Sequence, residues 1–216
     1  KGPAHSAGAT YSLELPDATG TAGQLLQTNG SGKLSFVDAS GGMHTLLSTV
    51  TASGASTVDI GSSSLFTSTY DQYYIYSPNI TSDTNDVNIY ARVSNGAFQT
   101  TGYIYAIEYI TASSNSQNQR STSEGYLPIL RTGLHSDSTV TASLRLYLNN
   151  PASTSLSKLI QWHCDSPSSF YGSADMGVNY GAGYWGTTTQ AIQGLRLYLS
   201  SGNISGTFYL FGVAKS

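Results

Sequence analysis

Tyr103-Ile104-Tyr105-Ala106-Ile107-Glu108-Tyr109-Ile110 is the stretch that decides the fold class. Residues two apart share one face of a pleated strand, and Tyr and Ile suit a half-buried pleated surface. The same period recurs in Tyr73-Tyr74-Ile75-Tyr76, in Val87 to Val93 and in Leu144 to Leu148. It continues in Leu156 to Trp162, Leu195 to Leu199 and Thr207 to Val213. Clusters of Gly, Ser, Asn and Pro separate these runs, as turns between strands require. Spacing at i, i+3, i+4 and i+7 does not occur over any long stretch, and the helix formers Glu, Lys and Met are scarce. Many strands without helical crossovers predict an all-β chain, a sandwich of antiparallel sheets. Leu144-Arg145-Leu146-Tyr147-Leu148 is echoed by Leu195-Arg196-Leu197-Tyr198-Leu199. Two core strands under one constraint account for that echo without a duplication.

Composition narrows the function classes. Only 10% of the 216 residues are charged, against ~25% in a typical soluble domain, so Ser, Thr, Asn and Gln must carry solubility. Plentiful Leu, Ile and Val and 16 tyrosines exclude a disordered chain. A net charge of −3 argues against a nucleic-acid partner. No apolar run approaches the ~18 residues of a membrane span, and the amino end carries no signal-peptide core. One cysteine makes neither an internal disulfide nor a zinc site.

The first 42 residues read differently from the rest. Lys1 to Thr10 is small, polar and patternless, as a linker is. Three short runs follow, with Leu13 and Leu15 on the first, Leu25 and Leu26 on the second, and Leu34 and Phe36 on the third. Asn29-Gly30 between the last two is a hairpin signal. So little apolar surface does not stand alone, whereas three copies around an axis would bury it. Ser40-Gly41-Gly42 breaks the composition. The expected organisation is a short β-stem over 1–42 and a β-sandwich over 43–216, assembled as a homotrimer.

Residues that could carry chemistry are few. His163-Cys164-Asp165 groups a thiol, an imidazole and a carboxylate, but strand neighbours point to opposite faces, so His163 and Cys164 form no nucleophile–base pair. Glu108, Glu124, Asp165 and Asp175 offer no acid pair for sugar hydrolysis. Asp83-Thr84-Asn85-Asp86 lacks the Gly and closing Glu of a calcium loop and reads as a turn. No catalytic residue, metal site or cofactor is therefore expected. The segment from Ser168 to Gly186 interleaves aromatics with Gly, Ser and Asn, the mixture of a binding loop. Tyr171, Asn179, Tyr180, Tyr184 and Trp185 would contact a glycan, since aromatic faces stack on sugar rings while amides bond their rims. Tyr and Trp equally suit a subunit interface, and the sequence leaves both readings open. Asn115, Asn118 and Arg120, in a polar stretch read as a loop, join the candidate contacts.

Leu15-Pro16-Asp17-Ala18-Thr19-Gly20-Thr21-Ala22-Gly23-Gln24-Leu25-Leu26, with Gly30-Ser31-Gly32-Lys33-Leu34-Ser35-Phe36, resembles the segment that precedes the carboxy-terminal heads of bacteriophage fibres. Gly202-Asn203-Ile204-Ser205-Gly206-Thr207-Phe208-Tyr209-Leu210-Phe211-Gly212-Val213 is similar to the last hairpin of such heads, and Ser63 to Phe66 with Tyr70-Asp71-Gln72-Tyr73 fits their early strands. Phe36 stands where the family usually has Trp, and Phe211 where it has Tyr. The resemblance implies a non-enzymatic virion protein, a trimeric fibre or tail spike with a jelly-roll-like head, on the phage tail or capsid. Its expected partners are host surface polysaccharide or protein, and other virion proteins through the stem. A capsid fibre or decoration protein without a receptor is the alternative.

Overall fold

In a computed structural model of the chain, residues 12–38, 43–112, 114–137, 139–168, 175–186 and 189–213 are described. They form fourteen strands and no helix. The chain divides into two compact units, Lys1–Gly42 and Met43–Ser216.

In the first unit, β1 (Gln24–Thr28) pairs antiparallel with β2 (Leu34–Asp38). Asn29 organises the turn: its Oδ1 accepts from the N–H of Ser31 at 2.8 Å and of Lys33 at 3.1 Å. Gly30 and Gly32 supply the positive φ angles the turn needs. The expected third strand is absent among the described residues. Glu14 makes only an isolated bridge to Lys33, because Pro16, two residues on, has no N–H to extend a ladder.

The second unit comprises β3 (His44–Ala55), β4 (Val58–Ile60), β5 (Gln72–Ser82), β6 (Val87–Ser94), β7 (Tyr103–Thr111), β8 (Ser114–Glu124), β9 (Leu127–Leu134), β10 (Ala142–Asn149), β11 (Leu159–Ser168), β12 (Asp175–Trp185), β13 (Gly194–Leu199) and β14 (Ile204–Val213). All pair antiparallel. One sheet has the order β3-β14-β5-β10-β11-β12-β7-β8, the other β4-β13-β6-β9. With the hairpin β7–β8 counted as one visit to the large sheet, and β11–β12 counted with β10 as another, the chain changes sheet at every step: β3, β5, β7–β8, β10–β12 and β14 lie in the large sheet, and β4, β6, β9 and β13 in the small one. Both hairpins extend the large sheet beyond β10.

Three local expectations change. The strand expected over Leu156 to Trp162 runs from Leu159 to Ser168 instead, since Ser153 Oγ accepts from the N–H groups of Ser155 and Leu156 and holds a turn there. Residues 115–120 are not a loop but part of β8, the edge strand. An edge strand with solvent on one side needs no apolar alternation, so its sequence carries no strand signal. Residues 175–185 form β12 rather than a binding loop.

Both sheets feed a single hydrophobic cluster, including Ile75, Leu144, Leu146, Trp162, Leu197 and Phe208. Strand β9 of the small sheet packs on β7, β11 and β12 of the large one. Asn179, fully buried, fastens that contact. Its Oδ1 accepts the Arg131 N–H at 2.7 Å. Its Nδ2 donates to Thr132 Oγ1 at 2.9 Å and to the Cys164 carbonyl at 3.3 Å. The inward row of β12 is thinned by glycine on either side of it. A Cβ on Gly177 would stand 2.1 Å from Thr132 Oγ1, one on Gly181 2.4 Å from Trp162, and one on Gly183 2.7 Å from Leu127. Close approach of β9 therefore requires glycine here. Asn179→Ala strands the buried Arg131 N–H and should lower stability by roughly 2–4 kcal/mol, and Gly177→Val should also destabilise. Urea unfolding followed by the fluorescence of Trp162 and Trp185, both buried, measures each change.

Candidate functional site

The outer face of the large sheet is where the described candidate residues meet. Strand register aligns Arg145, His163, Tyr180, Glu108 and Asn118 in one row across β10, β11, β12, β7 and β8. The next row holds Tyr147, Gln161, Ala182, Ala106 and Arg120, and the third holds Leu159, Tyr184 and Ile104. Directly opposed residues share a face, so the large side chains of the outer rows stand on either side of two alanines. The result is a groove floored by Ala106 and Ala182. It comprises two depressions of about 590 and 710 Å³ that share the two alanines and Arg120.

The smaller depression is bounded by Tyr180, Glu108, Asn118 and Gln161, and the larger by Tyr184, Ile104, Leu159 and Thr122. Glu108 accepts hydrogen bonds from the hydroxyls of Ser116 and Tyr180, which hold its carboxyl below the usual carboxylate range. The same bond to Glu108 pushes the Tyr180 phenol up. Glu108 is therefore an ionised acceptor at neutral pH. Beside the groove, His163 Nε2 lies 2.8 Å from Asp165 Oδ1, and Arg145 Nη1 lies 3.8 Å from Asp165 Oδ2.

The other half of this face is an aromatic ladder. Tyr74 stacks on Tyr147 at 4.8 Å and on Phe211 at 5.9 Å between centroids, and Tyr76 stacks on Tyr209 at 6.4 Å. These rings spend their faces on one another and turn their edges outward. Among the described residues Tyr180 and Tyr184 stack on no other ring, and Tyr180 is 47% exposed.

Of the residues expected to contact a glycan, Tyr180, Tyr184, Asn118 and Arg120 come together here. Asn179 and Trp185 do not: period two turns them to the core face, where Asn179 is 0% and Trp185 8% exposed. Tyr171 and the Asn115 side chain lie outside the described residues. Sequence reading missed Ala106, Ala182, Glu108 and Gln161. Alternation within Tyr103 to Ile110 already put Ala106 and Glu108 on one face, but only the pairing register sets them beside Tyr180 and Arg120. Among the described residues no group of three His, Cys, Asp or Glu could hold a metal ion, and no helix is long and apolar enough to cross a membrane.

No family model and no curated protein matches this chain.

His163-Cys164-Asp165 splits between faces: His163 and Asp165 point outward and Cys164 is buried in the core. Burial pushes the Cys164 thiol well above the usual cysteine range, with the Asp165 charge adding to it. The thiolate, which is the reactive form, is thereby suppressed. Ellman's reagent should leave native Cys164 unlabelled at pH 8 and label one thiol per chain after unfolding in guanidinium.

Proposed function

We propose that this chain is the head and adjoining stem of a bacteriophage fibre or tail spike, and that the head attaches the virion to a host surface glycan. The observation that carries the reading is the groove. Tyr180 and Tyr184 are four residues apart on one strand, roughly 13 Å at ~3.3 Å per residue, on either side of an alanine floor, with amide and hydroxyl groups along the rim. That is the mixture sugar recognition needs: flat apolar faces for the ring and hydrogen-bonding groups for the hydroxyls. We read the head as a binding module and not an enzyme. Among the described residues Glu108 is the one carboxylate bordering the groove, and an acid pair for glycosidic hydrolysis needs a second.

The body is, in this reading, a β-sandwich of jelly-roll type. The alternation of the chain between two sheets, with β7–β8 and β10–β12 each one visit to the large sheet, supports it. In the stem, Leu25 and Leu26 are neighbours on β1, so they face opposite sides of a two-stranded ribbon, yet they are 58% and 52% exposed. Leu13 and Leu15 are exposed as well, and Leu34 and Phe36 half-buried. A ribbon apolar on both faces wants cover, and a homotrimer supplies it at about 1.5–3 kcal/mol per fully buried leucine. The flat ladder of Tyr74, Tyr147 and Phe211 suits lateral contact between heads, since Tyr is enriched and charge depleted in interface cores.

The purified protein should bind host cells and their extracted surface polysaccharide. Tyr180→Ala and Tyr184→Ala should each weaken binding at least tenfold, at the scale of an interface hot spot, while leaving the thermal midpoint in place. A folded protein that adsorbs to neither cells nor polysaccharide, and whose loss alters particle stability instead, would identify a capsid decoration protein. Light scattering should give three times the 22.8 kDa chain mass, and the double change Leu25→Asp, Leu26→Asp should lower it.

A further inference from the structure

We infer that the groove takes an acidic saccharide, with the anionic group of one sugar seated on Arg120 in the Tyr184 depression. This rests on the glycan-binding reading of the same site.

The chain has five arginines, and their partners separate them. Arg196 forms a two-point ion pair with Asp59 at 2.6 and 2.7 Å, and its guanidinium covers the Phe98 ring at 3.8 Å. Arg145 pairs with Asp165. Arg92 donates to the Gly125 carbonyl at 2.9 Å and lies over Tyr198, and Arg131 reaches the Tyr90 hydroxyl at 3.5 Å. Among the described residues Arg120 has no such partner. It stands on the edge strand, opposite Ala106, and reaches both depressions of the groove. A guanidinium presents a fork of donors matched to carboxylate or phosphate oxygens, and here the fork is uncommitted.

The surroundings decide which end of the groove an anion occupies. Glu108 borders only the depression beside Tyr180, where it is ionised. Among the described residues no carboxylate lines the depression beside Tyr184, where Thr122 joins Arg120 two residues on along the edge strand. The groove is thus polarised along β12. An acidic sugar fits against Tyr184 with its charge on Arg120, and a neutral neighbouring sugar fits against Tyr180 with its hydroxyls donating to Glu108. At the first position the anion meets no like charge among the described residues, whereas a second acidic sugar beside Glu108 does.

The shared chemistry is an anionic group on a pyranose chain, and two sources supply it: a uronic-acid carboxylate or a phosphodiester. Calorimetry of the full chain should therefore use three probes of equal length: an oligogalacturonide, a phosphodiester-linked oligosaccharide and a neutral malto-oligosaccharide. At least one anionic probe should bind five- to tenfold more tightly than the neutral one, with the preference falling as salt rises from 50 to 500 mM. Whichever anionic probe binds more tightly names the source. Arg120→Gln should erase the preference by weakening the anionic probes at least fivefold more than the neutral one, and Arg120→Lys should keep part of it. Glu108→Gln should weaken the neutral probe. Equal affinity for all three, or a preference that survives Arg120→Gln, would overturn the inference and leave glycan binding standing. Failure of every probe, with host polysaccharide also unbound, would overturn both.

Discussion

The close approach of β9 to β12 is the constraint on which the rest of the body depends. A strand of the small sheet can ride this near the large one only where inward side chains are missing, and Gly177, Gly181 and Gly183 remove them. Asn179 sits among those glycines and exchanges hydrogen bonds with Arg131 and Thr132 on β9 and with Cys164 on β11. Buried amides that satisfy their donors and acceptors add specificity to a contact that apolar packing alone would leave free to slide. Because β12 is held there, its outward row is held too. Tyr180, Ala182 and Tyr184 are the opposite face of the same strand, so the shape of the groove follows from how the inner face is packed.

Two different surfaces share one sheet. On β14, β5 and β10 the outward residues are Tyr74, Tyr76, Tyr147, Tyr209 and Phe211, which consume their faces in stacking and leave a flat, rigid comb of edges. On β12 and β7 the outward row falls to alanine at 182 and 106, and the surface becomes concave. Flat aromatic edges suit another protein surface, while tyrosines flanking a depression suit a small ring-shaped ligand. The concave half belongs to β11, β12, β7 and β8, the four strands that carry the large sheet beyond β10.

The sequence by itself determined the all-β class, the antiparallel pairing of the Asn29-Gly30 hairpin and the inward or outward sense of most strand residues, because period two is a local property of the backbone. It also singled out the tyrosines of β12 as candidate contacts. Side-chain sense within that segment was legible in principle, but an aromatic and glycine-rich stretch reads as a loop until its glycines are seen to face a packed strand. What only the tertiary structure decided was register. Nothing local says that Ala106 lies opposite Ala182 and Arg120, or that Asn179 reaches across to β9, since those partners are separated by long stretches of chain and a slip of one residue would turn each of them to the other face. Edge strand β8 was hidden for the same reason: paired on one side and wet on the other, it needs neither apolar residues nor alternation, and only its neighbour β7 makes it a strand.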